Sequence, residues 1–267
     1  MLVAFLATAL WATATGLCDD GQSYDLVIRG GKIVDGTGNP WMYGDVAIRG
    51  DRIVAVGRVP KGDANREIDA KGLVVAPGFI DIHSHSDFVL FEDGDAQSKI
   101  RQGVTTDVIG EGSSAGPFQG KLTPRQVSVA GQPAEIKSLG DYFDAIDRLG
   151  VSINVASYVG FGQVWECVMG QDHRRPTDAE LAEMKRLVTE AMRDGARGLS
   201  SQLMMPPGSL ATTDDVVALA GAVREFGGIY SSHIRNEGLG VFDSVRAATT
   251  TWPASSRPGP TKAAANA

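Results

Sequence analysis

From residue 78 onward the chain repeats one rhythm: a short apolar run, a polar or glycine-rich loop, then a stretch with helical spacing. The runs are residues 78–83, 105–110, 152–159, 198–203 and 229–234. Five consecutive β-α units of this kind imply a parallel sheet. Helical stretches are expected near 96–101, 138–149 and 241–248, and behind a Thr177/Glu180 capping box. That capped helix places Leu181, Met184, Val188 and Ala191 on one face. A further helix is capped by Thr213, turns Val216, Leu219, Val223 and Phe226 inward, and stops at Gly227-Gly228. An open doubly wound sheet satisfies the same rhythm. A (β/α) barrel is preferred because His83, Glu111 and His233 fall at C-terminal strand ends, where barrel enzymes place their chemistry. Such a barrel needs eight units, so residues 76–248 read as an incomplete (β/α)8 TIM-type metallo-barrel of about five.

Residues 24–75 read differently. Three hairpins are expected there: 25–28 with 32–34 around Gly30-Gly31, 45–48 with 52–56 around Gly50-Asp51, and 67–70 with 73–75 around Lys71-Gly72. Alternation within each run buries one face, so these hairpins belong to a small sheet or sandwich, a small β-sandwich-like domain.

The two ends carry other signals. Residues 1–23 read as a signal peptide and linker, with an uncharged apolar run at 2–12 and a small-x-small site at Ala12-Thr13-Ala14. The run is too short for a bilayer, which needs about 20 residues. A periplasmic or secreted location follows; the competing readings are a lipid anchor at Cys18 and a wrongly assigned start codon. Residues 249–267 hold no Leu, Ile, Val, Phe or Met but include Pro253, Pro258 and Pro260, and read as a disordered or frame-shifted tail. No membrane span is expected downstream. A net charge of −7 gives no basic footprint for nucleic acid. No glycine cluster completes a phosphate-binding fingerprint.

The chemistry lies at the strand ends. In His83-Ser84-His85, alternation along extended chain points both imidazoles the same way, so two nitrogens can converge on one cation such as Zn²⁺. His233 ends the fifth run and is read as a further ligand on the same mouth; the alternative is a structural histidine. Glu111, between Gly110 and Gly112, reads as a metal ligand, a bridge between two metals, a general base or a plain turn residue. Arg235 and Asn236 are candidates for a substrate carboxylate, and the competing reading pairs Arg235 with Glu237. Asp81 is expected to orient His83 from behind. His173 is read as solvent-exposed, and Glu166-Cys167 as packing.

Residues 27–36 (VIRGGKIVDG) and 76–85 (APGFIDIHSH) resemble the start of a metal-dependent amidohydrolase. Gly103-Val-Thr-Thr106 and Ser232-His-Ile-Arg-Asn-Glu237 narrow the resemblance to the D-aminoacylase group, the N-acyl-D-amino-acid deacylases, over about residues 24–248. The resemblance implies a metallo-barrel flanked by a β-sandwich, one or two divalent ions such as Zn²⁺, and His83, His85 and His233 as ligands. It implies hydrolysis of an N-acyl-D-amino acid, or of a dipeptide with a D-residue, by a metal-activated water. Relatives carry Gly-Asn-Cys-Gly where this chain has Gly110-Glu-Gly-Ser113, so Glu111 or a neighbour is expected to replace the cysteine. The family's further metal histidine and its proton-shuttling aspartate come from strands six and eight, so no catalytic residue is assigned in this chain. The alternatives are a hydantoinase-like ring opening and an inactive metal-binding fragment.

Overall fold

The computed structural model describes residues 23–62 and 64–251. The signal-sequence reading, Cys18 and residues 252–267 of the tail lie outside them. The chain divides into two compact units at Pro77/Gly78.

In the first unit, β1 (Tyr24–Ile33), β2 (Met42–Arg49), β3 (Arg52–Gly57), β4 (Ala64–Asp69) and β5 (Val74–Val75) form one mixed sheet. Its order is β3-β2-β1-β4, with β5 also on β1. The expected hairpin at 45–56 is the antiparallel β2–β3 pair. The other two hairpins do not form. Residues 24–33 are a single strand in which Gly30, at φ 67°, makes a bulge where the β1–β2 register shifts between Ile28 and Gly31. One residue of positive φ kinks a strand, whereas a two-residue hairpin turn needs a reversal of direction. β4 and β5 both lie parallel to β1 rather than against each other. The unit is thus one sheet, over a small core of Val27, Ala47 and Val59.

The second unit opens with β6 (Phe79–Asp81), α1 (Gln97–Ile100) and β7 (Val104–Ile109). A hairpin of β8 (Arg125–Val129) and β9 (Gln132–Ile136) follows, then α2 (Leu139–Leu149). Next come β10 (Asn154–Ser157), β11 (Val159–Gly160), α3 (Phe161–Met169) and α4 (Asp178–Arg193). β12 (Gly198–Gln202), α5 (Thr213–Arg224), β13 (Ile229–His233) and α6 (Val241–Thr251) complete it. β6, β7 and β10 pair in parallel, as do β11, β12 and β13. Backbone bonds carry the pairing across the break: Tyr158 N–H donates to Ile109 O at 2.9 Å, and Arg197 N–H to Ser157 O at 2.8 Å. The parallel strands thus follow one another in chain order, which sets all their C-terminal ends on one side.

The main core gathers Ile109, Val159 and Leu199 from the strands with Tyr142, Trp165, Met184, Leu187 and Leu219 from the helices. α4 buries Met184, Val188 and Ala191 as the spacing requires, and its capping box between Thr177 and Glu180 is formed. The cap of α5 is Thr212, one residue earlier than expected, because Asp215 three residues on returns the reciprocal bond to Thr212 N–H at 2.7 Å. Phe226 lies past the end of α5 and is exposed, unlike Val216, Leu219 and Val223. The run 79–82 is also not buried: Phe79, Ile80 and Ile82 are all more than 60% exposed, since β6 pairs among the described residues only with β7. Helix α6 runs past residue 248 to Thr251. No helix among the described residues is long and apolar enough to cross a membrane.

Candidate metal centre

Three histidines meet at the C-terminal strand ends. His83 and His85 follow β6, and His233 is the last residue of β13. The His83 ring stands edge-to-face with that of His85 at 5.4 Å between centres, and with that of His233 at 5.1 Å. Two imidazoles bound to one tetrahedral zinc through nitrogen at about 2.0–2.1 Å have ring centres about 5 Å apart. The observed spacings suit such sharing with His83 as the middle ring. No three His, Cys, Asp or Glu side chains among the described residues enclose a closed ion site as they stand, so side-chain rotation is needed to complete one.

Glu111 supplies the acidic element. It follows β7 on a turn that two glycines make possible: Gly110 has φ 86° and Gly112 has φ 76°. A Cβ at Gly110 would stand 2.5 Å from Tyr158 O, and one at Gly112 2.4 Å from the Gln202 side chain. Ser200 of β12 pins the turn from below, its hydroxyl donating to Gly110 O and accepting from Gly112 N–H at 2.9 Å. The Glu111 side chain is almost wholly buried. Its Oε1 accepts from Ser231 Oγ at 2.8 Å and lies 3.9 Å from His83 Nδ1. Its Oε2 is buried without a hydrogen-bond partner. A carboxylate oxygen left bare beside imidazoles costs stability unless a cation or a donor meets it, and the hard oxygen with imidazole nitrogens is a donor set that zinc accepts. The residues present fit a divalent ion.

Around this set the chain holds its histidines by backbone and carboxylate. Asp81 accepts from the backbone N–H of His83 at 3.2 Å and from Lys99 Nζ at 2.6 Å, so it fixes the turn and not the imidazole. The ammonium of Lys99, then the His83 N–H, hold the Asp81 carboxyl below the usual value. Glu237 Oε1 accepts from His233 Nδ1 at 3.0 Å, which leaves the other ring nitrogen free for a ligand. Arg235 therefore does not pair with Glu237; its Nη2 donates to Ala211 O at 2.7 Å, and it makes no ion pair among the described residues. The side-chain oxygen of Asn236 accepts from Gly238 and Gly240 N–H, closing the loop after β13. Burial, together with Glu111, raises the Tyr158 hydroxyl, and burial pushes the Asp87 carboxyl up to about 6.

His173 is exposed and stands apart in the loop before α4. Cys167 is packed in the core, its thiol donating to Pro117 O at 3.3 Å and raised by burial. Sequence reasoning missed Ser231 and Lys99, and read Glu237 as a partner for Arg235 rather than for His233, four residues before it.

A family model described as "Amidohydrolase family" matches residues 66–252. The D-aminoacylase of Alcaligenes xylosoxydans xylosoxydans is 38% identical over 222 residues, covering 82% of this chain and 46% of that protein. A solved D-aminoacylase, studied for its binuclear metal centre, superposes with TM-score 0.77 at 32% identity over 85% of this chain and 49% of its own. The N-acyl-D-glutamate deacylase of Bordetella bronchiseptica, solved with zinc and a phosphonate inhibitor, gives 0.77 at 36% identity over 86% and 49%. The chain spans about half the length of the relatives it matches. By the extent of the family match, the chain belongs to the amidohydrolase family.

Proposed function

We propose that this chain carries the metal-binding strands of an N-acyl-D-amino-acid deacylase, an enzyme that hydrolyses the amide bond between an acyl group and a D-amino acid or D-terminal dipeptide. The observation that carries the reading is the buried, half-unpartnered Glu111 carboxylate beside three strand-end imidazoles. One or two divalent ions, with zinc the first choice, would be held by His83, His85, His233 and Glu111. The chemistry such an ion supplies when bound is Lewis acidity toward water and toward an amide carbonyl.

The chain's own residues do the rest of what lies here. Arg235, tethered at Ala211 and otherwise without an acid, receives the substrate carboxylate. Asn236 shapes that loop through its bonds to Gly238 and Gly240, and its amide N–H₂ is the second donor we assign to the substrate carboxylate. Asp81 and Glu237 hold His83 and His233 in place. We read β6, β7, the broken strand β10–β11, β12 and β13 as the first five strands of an eight-stranded barrel, and assign the proton-shuttling aspartate to strands outside these five. The apolar run at 2–12, outside the described residues, supports an exported protein.

The test joins this chain after α6 to the second half of the Alcaligenes D-aminoacylase, loads zinc, and offers N-acetyl-D-amino acids, their L-forms and hydantoins. The joined protein is expected to release D-amino acids at about 1–10³ s⁻¹, to leave the L-forms intact, and to lose turnover with His83→Ala. This chain by itself is expected to show no turnover. Preference for L-substrates or for ring opening would contradict the reading.

A further inference from the structure

A second polar cluster lies beneath the His83–Ser84–His85 turn. Asp107 of β7 is fully buried, and Lys99 of α1 reaches it. Lys99 Nζ donates to Asp81 Oδ2 at 2.6 Å, to Ser84 Oγ at 3.1 Å and to Asp107 Oδ1 at 3.2 Å. Ser84 Oγ in turn donates to Asp107 Oδ2 at 3.0 Å. Ser84 N–H donates to Val108 O at 3.1 Å and His83 N–H to Asp81 Oδ1 at 3.2 Å. Burial opposes the charge on Lys99, but its bonds to Asp81 and Asp107 keep its pKa above the usual value.

One ammonium thus ties β6 (through Asp81), β7 (through Asp107) and the residue between the two histidines (Ser84). Each histidine is one residue from a group that this ammonium holds. A surface lysine pairing with one acid would contribute little. Here a buried carboxylate, a serine flanked by both imidazoles and an outer strand paired on one side all depend on one head group.

We propose that Lys99 is a positioning residue for the histidine turn: through Asp81, Asp107 and Ser84 it fixes the backbone from which His83 and His85 project. The inference rests on the metal reading above for the purpose of that fixing, while the fixing itself is measurable without metal. Two readouts are taken on the full chain with Lys99→Met and with Lys99→Arg: amide hydrogen exchange in metal-free protein and zinc affinity by titration. In Lys99→Met, exchange at His83 and Ser84 is expected to quicken at least about tenfold, while Leu187 and Val188 in α4 stay protected. Zinc affinity is expected to fall about 10–100-fold. Lys99→Arg, which keeps the charge and several donors, is expected to recover most of both. Should Lys99→Met fail to fold because Asp107 is left as a lone buried charge, the pair Lys99→Met with Asp107→Asn gives the same readings without that charge.

Unchanged exchange at the turn in a folded variant overturns the proposal, whether or not zinc binds. Equal zinc affinity in wild type and Lys99→Met also overturns it and leaves the metal reading intact. A loosened turn in a protein that never binds zinc upholds the positioning role and removes the metal reading instead.

Discussion

Glu111 shows how one residue joins local backbone to chemistry. Two left-handed glycines and a serine from β12 press its carboxylate into the interior, where Ser231 donates to it and His83 stands 3.9 Å away. A bare buried oxygen of this kind costs about 1–3 kcal/mol or more, and residues held at a cost to the fold are typical of functional sites. Replacing Glu111 by Gln removes the charge and keeps the shape. In metal-free protein this change is expected to raise stability by about 1–3 kcal/mol, read as a higher melting temperature, and to weaken zinc binding at the same time. A variant that melts lower and binds zinc unchanged would deny Glu111 its role. At this scale the strand-end histidines were legible because period-2 alternation and a following loop fix their direction from sequence alone. Ser231 and Lys99 were not. A serine and a lysine are common residues, and what distinguishes them is contact across 120 positions in one case and 18 in the other.

Elements were legible where the rule is local. The Thr177 capping box, the helix expected at 138–149 and the parallel strands stand close to their expected places. They failed where pairing is long-range. Gly30-Gly31 has hairpin chemistry, but Asp45 turns the site into a bulge. Its carboxylate accepts from Gly30 N–H at 2.8 Å, Val59 N–H at 3.2 Å and Arg29 Nη1 at 3.3 Å, tying β1 to β2 and to the segment after β3. The β8–β9 hairpin hid for the opposite reason: its turn places Ala130 at φ 49°, where Asn or Gly would have announced it. Burial opposes ionisation of Asp45, yet the two backbone N–H groups and Arg29 hold its pKa below the usual 3.8. A depressed carboxyl pKa adds stability that is present above 3.8 and is lost as pH falls through the lower folded value. Asp45→Asn is therefore expected to cost about 1–3 kcal/mol at pH 7, and less at pH 2, in chemical unfolding followed on the first unit. Equal cost at both pH values would show that the ionised carboxylate does not lock the bulge.

The second unit covers the first and last of its six parallel strands less well than the middle ones. Phe79, Ile80, Ile82 and Ile229, on β6 and β13 or next to them, are each more than half exposed, whereas Ile109, Val159 and Leu199 in the middle strands are sealed. That difference was not legible in the sequence, where all the runs read alike as apolar strands; the exposure needed coordinates. What these strands hold in common is one mouth with three imidazoles and a buried carboxylate, and a metal there is the centre of this account. Equilibrium zinc binding by the full chain, with bound metal counted per chain by mass spectrometry, tests it most directly. At least one zinc per chain is expected for wild type and for His173→Ala, with clear loss in His83→Ala and in His233→Ala. Wild-type protein that takes up no zinc, or variants at His83 and His233 that hold as much as wild type, would contradict it.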